Sequence, residues 1–175
     1  MNRLISYLGV KPKVLNHVFI ASSADVIGNV TIGKESSIWY QCVLRGDINS
    51  ITIGEFTNIQ DHTVIHLSAN HGTQIGDHVT IGHGSIIHGC TIEDYVVVGM
   101  GSCILDGATI SKNSIVGARS LVTKNKTFEE GMLIMGSPAK AVRKLTNEEL
   151  KSIRHSALNY VQVANEYYEE EKVDS

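Results

Sequence analysis

The chain has 175 residues, 42% of them hydrophobic, with three cysteines and a net charge of −3 at neutral pH. That length suits one domain with a small appendage, built around a core that needs no staples. The mixed charge offers no basic footprint for nucleic acid, and no apolar run is long enough to span a bilayer. No signal-peptide pattern opens the chain, so a cytoplasmic protein is expected, with Cys42, Cys90 and Cys103 as free thiols in a reducing compartment.

Residues 1–13 read as a lead-in that caps the first turn of a repeat. From Val14 an aliphatic residue returns every six positions: Ile20, Val26, Ile32, Ile38 and Leu44, and later Ile92, Val98, Ile104, Ile110, Val116 and Val122. Glycine commonly follows it, as in Ile32-Gly33, Ile53-Gly54 and Ile81-Gly82. A six-residue period fits no α-helix. It fits a parallel β-helix, with one short strand and one corner per repeat and three repeats per triangular coil. About eighteen such hexads predict about six coils over residues 14–140.

The period breaks in the middle third. Leu44 to Ile53 carries three extra residues, Ile65 to Ile75 carries four, and Ile87 to Ile92 is one short. Insertions in a solenoid become corner loops, which commonly build the functional site. After Val122 the pattern loosens, resumes at Met132 to Gly136, and closes at Ser137-Pro138. Residues 141–175 then read as an amphipathic helix and tail. Thr146 with Glu149 forms a capping box, and Leu150, Ile153, Ala157, Tyr160, Val161, Ala164 and Tyr168 have helical spacing. An acidic tail is expected to fray after Glu169.

Aligned three hexads at a time, the breaks bring chemistry together. Arg45, His66 and His88 each follow the aliphatic residue of successive coils and stack on one edge, about 4.8 Å apart. Asp61 and His83 sit two places after theirs and form a second column on another edge. His66 and His88 are spaced to share a metal ion. His83 lies about 15 Å away along its own chain. A neighbour in a threefold ring could supply it, at a height between His66 and His88. In the same register Asp61 of one copy meets Arg45 of the next. The remaining histidines, His17, His62, His78 and His155, have no stacked counterpart and default to the surface, while His71 in the four-residue insertion is a candidate proton carrier.

The segments RGD (Arg45 to Asp47), NIQDHTVIH (Asn58 to His66) and IGHGSIIHG (Ile81 to Gly89) resemble the gamma-class carbonic anhydrase family. The resemblance runs on through MGSPAK (Met135 to Lys140) into SALNYVQVANEYY (Ser156 to Tyr168). It implies a left-handed parallel β-helix assembled as a homotrimer, with metal at the subunit interfaces. The metal ligands would be His66, His83 and His88, and the metal zinc, with iron or cobalt as alternatives. Gln60 and Asn58 would be the family's active-site amides, and Arg45 and Asp47 its Arg and Asp, with Arg45 and Asp61 the intersubunit pair. The implied reaction is reversible hydration of carbon dioxide to bicarbonate by a metal-bound hydroxide. Gln60 would orient it, Asp47 would accept a hydrogen bond, and Tyr160 on the terminal helix would donate one.

Where founding members of the family carry glutamates, this chain has Ile48 after Asp47 and the carboxylate-free insertion LSANHGTQ (Leu67 to Gln74). It therefore looks like the short branch without the acidic proton-transfer loop. Two other readings stay open. One is a hexapeptide acyltransferase or thioesterase acting on a small molecule. The other is a metal-stabilised trimeric scaffold or ligand-binding protein without hydratase activity.

Overall fold

Aliphatic side chains every sixth residue can be buried together only if the chain coils so that they stack, and it does. The structure is a computed structural model describing residues 3–173. Nearly all its strands pair in parallel, three hexads apart: Val14 beside Ile32, Ile32 beside Ile53, Ile53 beside Ile75, and Ile75 beside Ile92. A second column holds Ile20, Ile38, Ile59, Ile81, Val98, Val116 and Ile134 in register. The third runs from Leu4 and Val26 through Leu44, Ile65 and Ile87 to Ile104 and Val122. The long strands Asp25–Ile32 and Val43–Ile53 turn a corner and join two faces into an 11-stranded sheet, and an 8-stranded sheet makes the third face.

The columns amount to about seven coils rather than six. The lead-in contributes a strand of its own, since Arg3–Ile5 pairs in parallel with Asp25 to Ile27. At the other end Met132–Gly136 adds a further rung beside Ile115 and Val116. The chain then doubles back at Ser137-Pro138, and Ala139–Lys144 closes the 8-stranded sheet as an antiparallel strand.

Burial follows the period. Ile32, Ile38, Leu44, Ile59, Ile65, Ile87 and Ile104 are completely buried in one continuous core, each worth about 1.5–3 kcal/mol against exposure. Corners place backbone carbonyls inside as well, and small hydroxyls satisfy them. Ser85 and Ser120 donate to the carbonyls of Gly82 and Gly117, each at 2.7 Å. The regular corner is turned three places after the aliphatic residue by a residue with φ near +57°, among them His17, Phe56, His62, His78, Tyr95 and Asn113.

Helix α1 (Asn147–Val173) starts at a reciprocal capping box. Glu149 N–H donates to Thr146 Oγ1 at 3.2 Å and Thr146 N–H donates to Glu149 Oε2 at 2.8 Å. It continues through the acidic stretch that the sequence assigns to a frayed tail. It descends the 8-stranded face coil by coil, meeting Thr80 with Ser156, Trp39 with Tyr160 and Phe19 with Tyr167. Ile153, Ala157 and Ala164 are its buried positions. Tyr167 carries ring contacts to Phe19, Trp39 and Tyr40.

Candidate functional site

The predicted site residues fall into two groups on different sheets. On the 11-stranded sheet His88 pairs in register with His66, and Leu44 with Ile65, which sets Arg45, His66 and His88 on successive rungs of one edge. His66 Nδ1 faces His88 Nε2 at 3.2 Å. The outer nitrogen of each ring is held by a carboxylate: His66 Nε2 meets Asp47 Oδ1 at 2.9 Å, and His88 Nδ1 meets Asp106 Oδ1 in a short contact. Arg45 Nη1 grips Asp47 from the far side, and Lys124 Nζ lies 3.3 Å from Asp106 Oδ2.

The carboxylates select the tautomer of a neutral ring. Asp47 is held below the usual range. Partial burial pushes its carboxyl up, but hydrogen bonds from His66 and Arg45 outweigh that. Asp106 is held down in the same way, with His88 and Lys124 outweighing burial. An ionised carboxylate only accepts, so each neutral ring must put its proton on the outer nitrogen. With both rings neutral, the two inner nitrogens present lone pairs to one another, an arrangement suited to a shared cation. Two imidazole nitrogens bound tetrahedrally at about 2.0–2.1 Å stand about 3.3 Å apart, close to the spacing seen here. The pair therefore fits a metal ion, and carboxylates behind histidine ligands are the usual support for one.

The second group lies on the 8-stranded face. His83 Nδ1 meets Asp61 Oδ2 at 2.8 Å, and the backbone N–H of Tyr40 donates to Asp61 Oδ1 at 3.2 Å. Asn58 and Gln60 flank the buried Ile59, point outward, and are nonetheless buried. Gln60 Nε2 donates to Asn58 Oδ1 at 3.1 Å, and Asn58 Nδ2 donates to Thr80 Oγ1 at 2.9 Å. Tyr160 packs edge-on against Trp39, and burial together with the nearby charge of Asp61 pushes its hydroxyl pKa up. Within one chain Arg45 thus pairs with Asp47, and Asp61 with His83. Among the described residues of one chain, no group of three or more His, Cys, Asp or Glu is placed to hold a metal.

Two parts of the first group are not visible in the hexad alignment of histidines. Asp106 stands two places after Ile104, one coil beyond His88, where an acidic residue at a corner looks merely solvated. The room it needs comes from Gly89, whose φ is +55°; a Cβ there would lie 2.5 Å from Asp106 Oδ1. The insertion after His66 is a pinned turn. Ser68 and His71 exchange backbone hydrogen bonds, and Asn49 Nδ2 donates to the carbonyls of Ser68 and Ala69. His71 rests against Gly89 and Gly107, beside the His88–Asp106 pair. Burial pushes the Cys42 and Cys90 thiols up to about 12, so neither is poised as a nucleophile or ligand. His78 corrects the expectation that it lacks stacked partners: its ring lies parallel between Phe56 and Tyr95, with centroids 4.9 and 4.8 Å away.

No protein-family model matches the chain. It is 39% identical over 180 residues to a carbonic anhydrase of Geobacillus kaustophilus, covering 93% of this chain and 88% of that one. The chain belongs to the gamma carbonic anhydrase family. Another member of the family, gamma carbonic anhydrase 2, mitochondrial, of Arabidopsis thaliana, is 48% identical over 167 residues, covering 92% of this chain and 60% of the plant protein. The chain thus spans about three fifths of the length of that relative. Among solved structures, a hexapeptide transferase family protein from Anaplasma phagocytophilum superposes with a TM-score of 0.92 at 46% identity, covering 95% of this chain and 98% of that one. Hexapeptide solenoids thus carry both family names.

Proposed function

We propose that the protein is a metal-dependent carbonic anhydrase of the gamma class, acting as a homotrimer with one site at each subunit interface. The observation that carries this reading is the pair of inner imidazole nitrogens of His66 and His88, 3.2 Å apart and each backed by a carboxylate. His66 and His88 of one copy and His83 of a neighbour would hold the ion, zinc with iron or cobalt as alternatives. A metal ion there supplies a Lewis acid that makes water a nucleophile near neutral pH.

The chain's own residues do the rest. Asp47 and Asp106 hold the two rings in the tautomers that leave their inner nitrogens free. Gln60, anchored by Asn58, offers its amide oxygen to orient a hydroxyl, and Tyr160 offers a donor beside Asp61. These groups lie on the His83 half, so a complete site needs both halves from different copies. The exposed Val64 and Ile86 on the rungs of His66 and His88 supply an apolar face for that contact. In the assembly Arg45 would turn from Asp47 towards Asp61 of the neighbour. His71, beside His88, is the titratable side chain in the insertion and would carry the proton outward. Three free cysteines suit a reducing compartment such as the cytoplasm, and the plant relative's name places that protein in mitochondria.

Stopped-flow hydration of carbon dioxide by metal-reconstituted protein tests the proposal. A slow rate that climbs with buffer concentration is expected, because general base assistance from an acidic loop, worth about 10²–10⁴-fold, is missing. No detectable hydration with zinc or ferrous iron fully loaded and buffer saturating would leave a scaffold or thioesterase role.

A further inference from the structure

A concavity away from the histidines lies where the last coil meets the start of α1. It is a cleft of about 670 Å³ whose lining includes Lys144, Lys151 and Arg154 together with Leu145, Leu150 and Asn113. The volume falls in the range of small-molecule sites, about 300–1,000 Å³. Its carboxylates are already engaged: Glu130 pairs with Lys112 at 3.3 Å, and neighbouring Glu149 takes both Nη atoms of Arg143. Lys144, Lys151 and Arg154 have no carboxylate partner among the described residues.

Arg154 is also held in position. Its guanidinium lies 4.8 Å from the centre of the Tyr95 ring, which stacks on His78, which stacks on Phe56. A guanidinium held against an aromatic face keeps N–H donors available for phosphate or carboxylate oxygens. Charge along the chain adds to this. Residues 46–111 contain seven Asp or Glu and no Lys or Arg, whereas residues 112–154 contain nine Lys or Arg and four Glu. Each coil occupies one level of a solenoid, so the Lys and Arg of residues 112–144 lie on the last coils, beside the cleft.

We infer that this cleft binds a phosphorylated small molecule. The phosphate would sit between Lys144, Lys151 and the Arg154 fork, and an apolar or aromatic body would lie against Leu145 and Leu150. The site is separate from the histidine pair and independent of its metal.

Ligand-observed NMR titration of the full-length protein, with adenosine monophosphate, inorganic phosphate and adenosine as probes, tests this. Saturable binding of the monophosphate is expected, about tenfold or more tighter than inorganic phosphate, with adenosine not binding. Arg154→Gln should weaken the monophosphate about tenfold, and Arg154→Lys should fall between, since it keeps the charge and loses the fork. Lys151→Gln, on the exposed face of α1, should weaken it as well without bearing on folding. Inorganic phosphate binding as tightly as the ester would overturn the organic body. Adenosine binding equally well, no saturation by about 10 mM, or parental affinity in both Arg154→Gln and Lys151→Gln would overturn the site.

Discussion

Replacing Asp106 by asparagine should cost the protein most of its metal affinity while leaving the solenoid intact. Asp106 accepts from His88 Nδ1 through one oxygen and faces Lys124 Nζ at 3.3 Å through the other, with its side chain only 15% exposed. An asparagine of the same shape has one acceptor and one NH2. If its oxygen serves His88, its amino group opposes the Lys124 ammonium; if it serves Lys124, a donor opposes His88 and favours the wrong ring tautomer. Either orientation sets donor against donor. Loss of such an outer carboxylate typically weakens metal binding about 10–100-fold, or about 1.4–2.7 kcal/mol, and the double conflict here places the expectation at the upper end. Competition for zinc against a chromophoric chelator reads the change, with sedimentation confirming that assembly is unaltered. Gly89→Ala should mimic it, because the added Cβ would lie 2.5 Å from Asp106 Oδ1 and displace the carboxylate. Zinc affinity within about threefold of the parent in both variants would refute the tautomer argument.

Ile86→Lys, at a position 48% exposed one rung-neighbour from Val64, should break the proposed trimer into monomers in sedimentation and weaken zinc binding with it; a trimer that still binds zinc would remove the apolar face from the interface. His71→Ala should lower the hydration rate at low buffer and leave it unchanged at high buffer, where external base takes the proton. Glu149 is held down to about 2 by Arg143 and by the Thr146 N–H. Its folded pKa lies below its unfolded value, so its contribution is complete above the ordinary carboxylate range and is lost as pH falls through about 2. Glu149→Gln should therefore flatten the dependence of thermal stability on pH in that window and leave behaviour below it unchanged.

The hexad period alone fixes which rungs touch, and the register of Ile59 with Ile81 and of Ile65 with Ile87 is what counting predicts. It also separates the histidines. His17, His62 and His78 occupy the third place after the aliphatic residue, where the corner demands positive φ, a conformation in which His is enriched several-fold. His66, His83 and His88 occupy the first and second places, where nothing in the backbone asks for His. Counting is weaker at the ends, where the strand at Arg3 and the doubled-back strand after Pro138 have no hexad signature. It also fails across rungs. Asp106 reaches His88 by a side chain that crosses from one coil to the next over a glycine, and no spacing rule on a single column reveals that. The run of α1 to Val173 is equally hidden, because the charge composition of its end argues for fraying.

The division of the functional residues between two sheets has a genetic consequence. A chain damaged at His66 keeps a sound His83 face, and a chain damaged at His83 keeps a sound His66 edge. If sites form between copies, two alleles that are each silent would complement one another when expressed together. Roughly one interface in four of a randomly mixed assembly would receive both intact halves. Conversely, one defective allele would spoil interfaces contributed by its healthy counterpart. Inheritance at this locus would then depend on which of the two faces a lesion strikes.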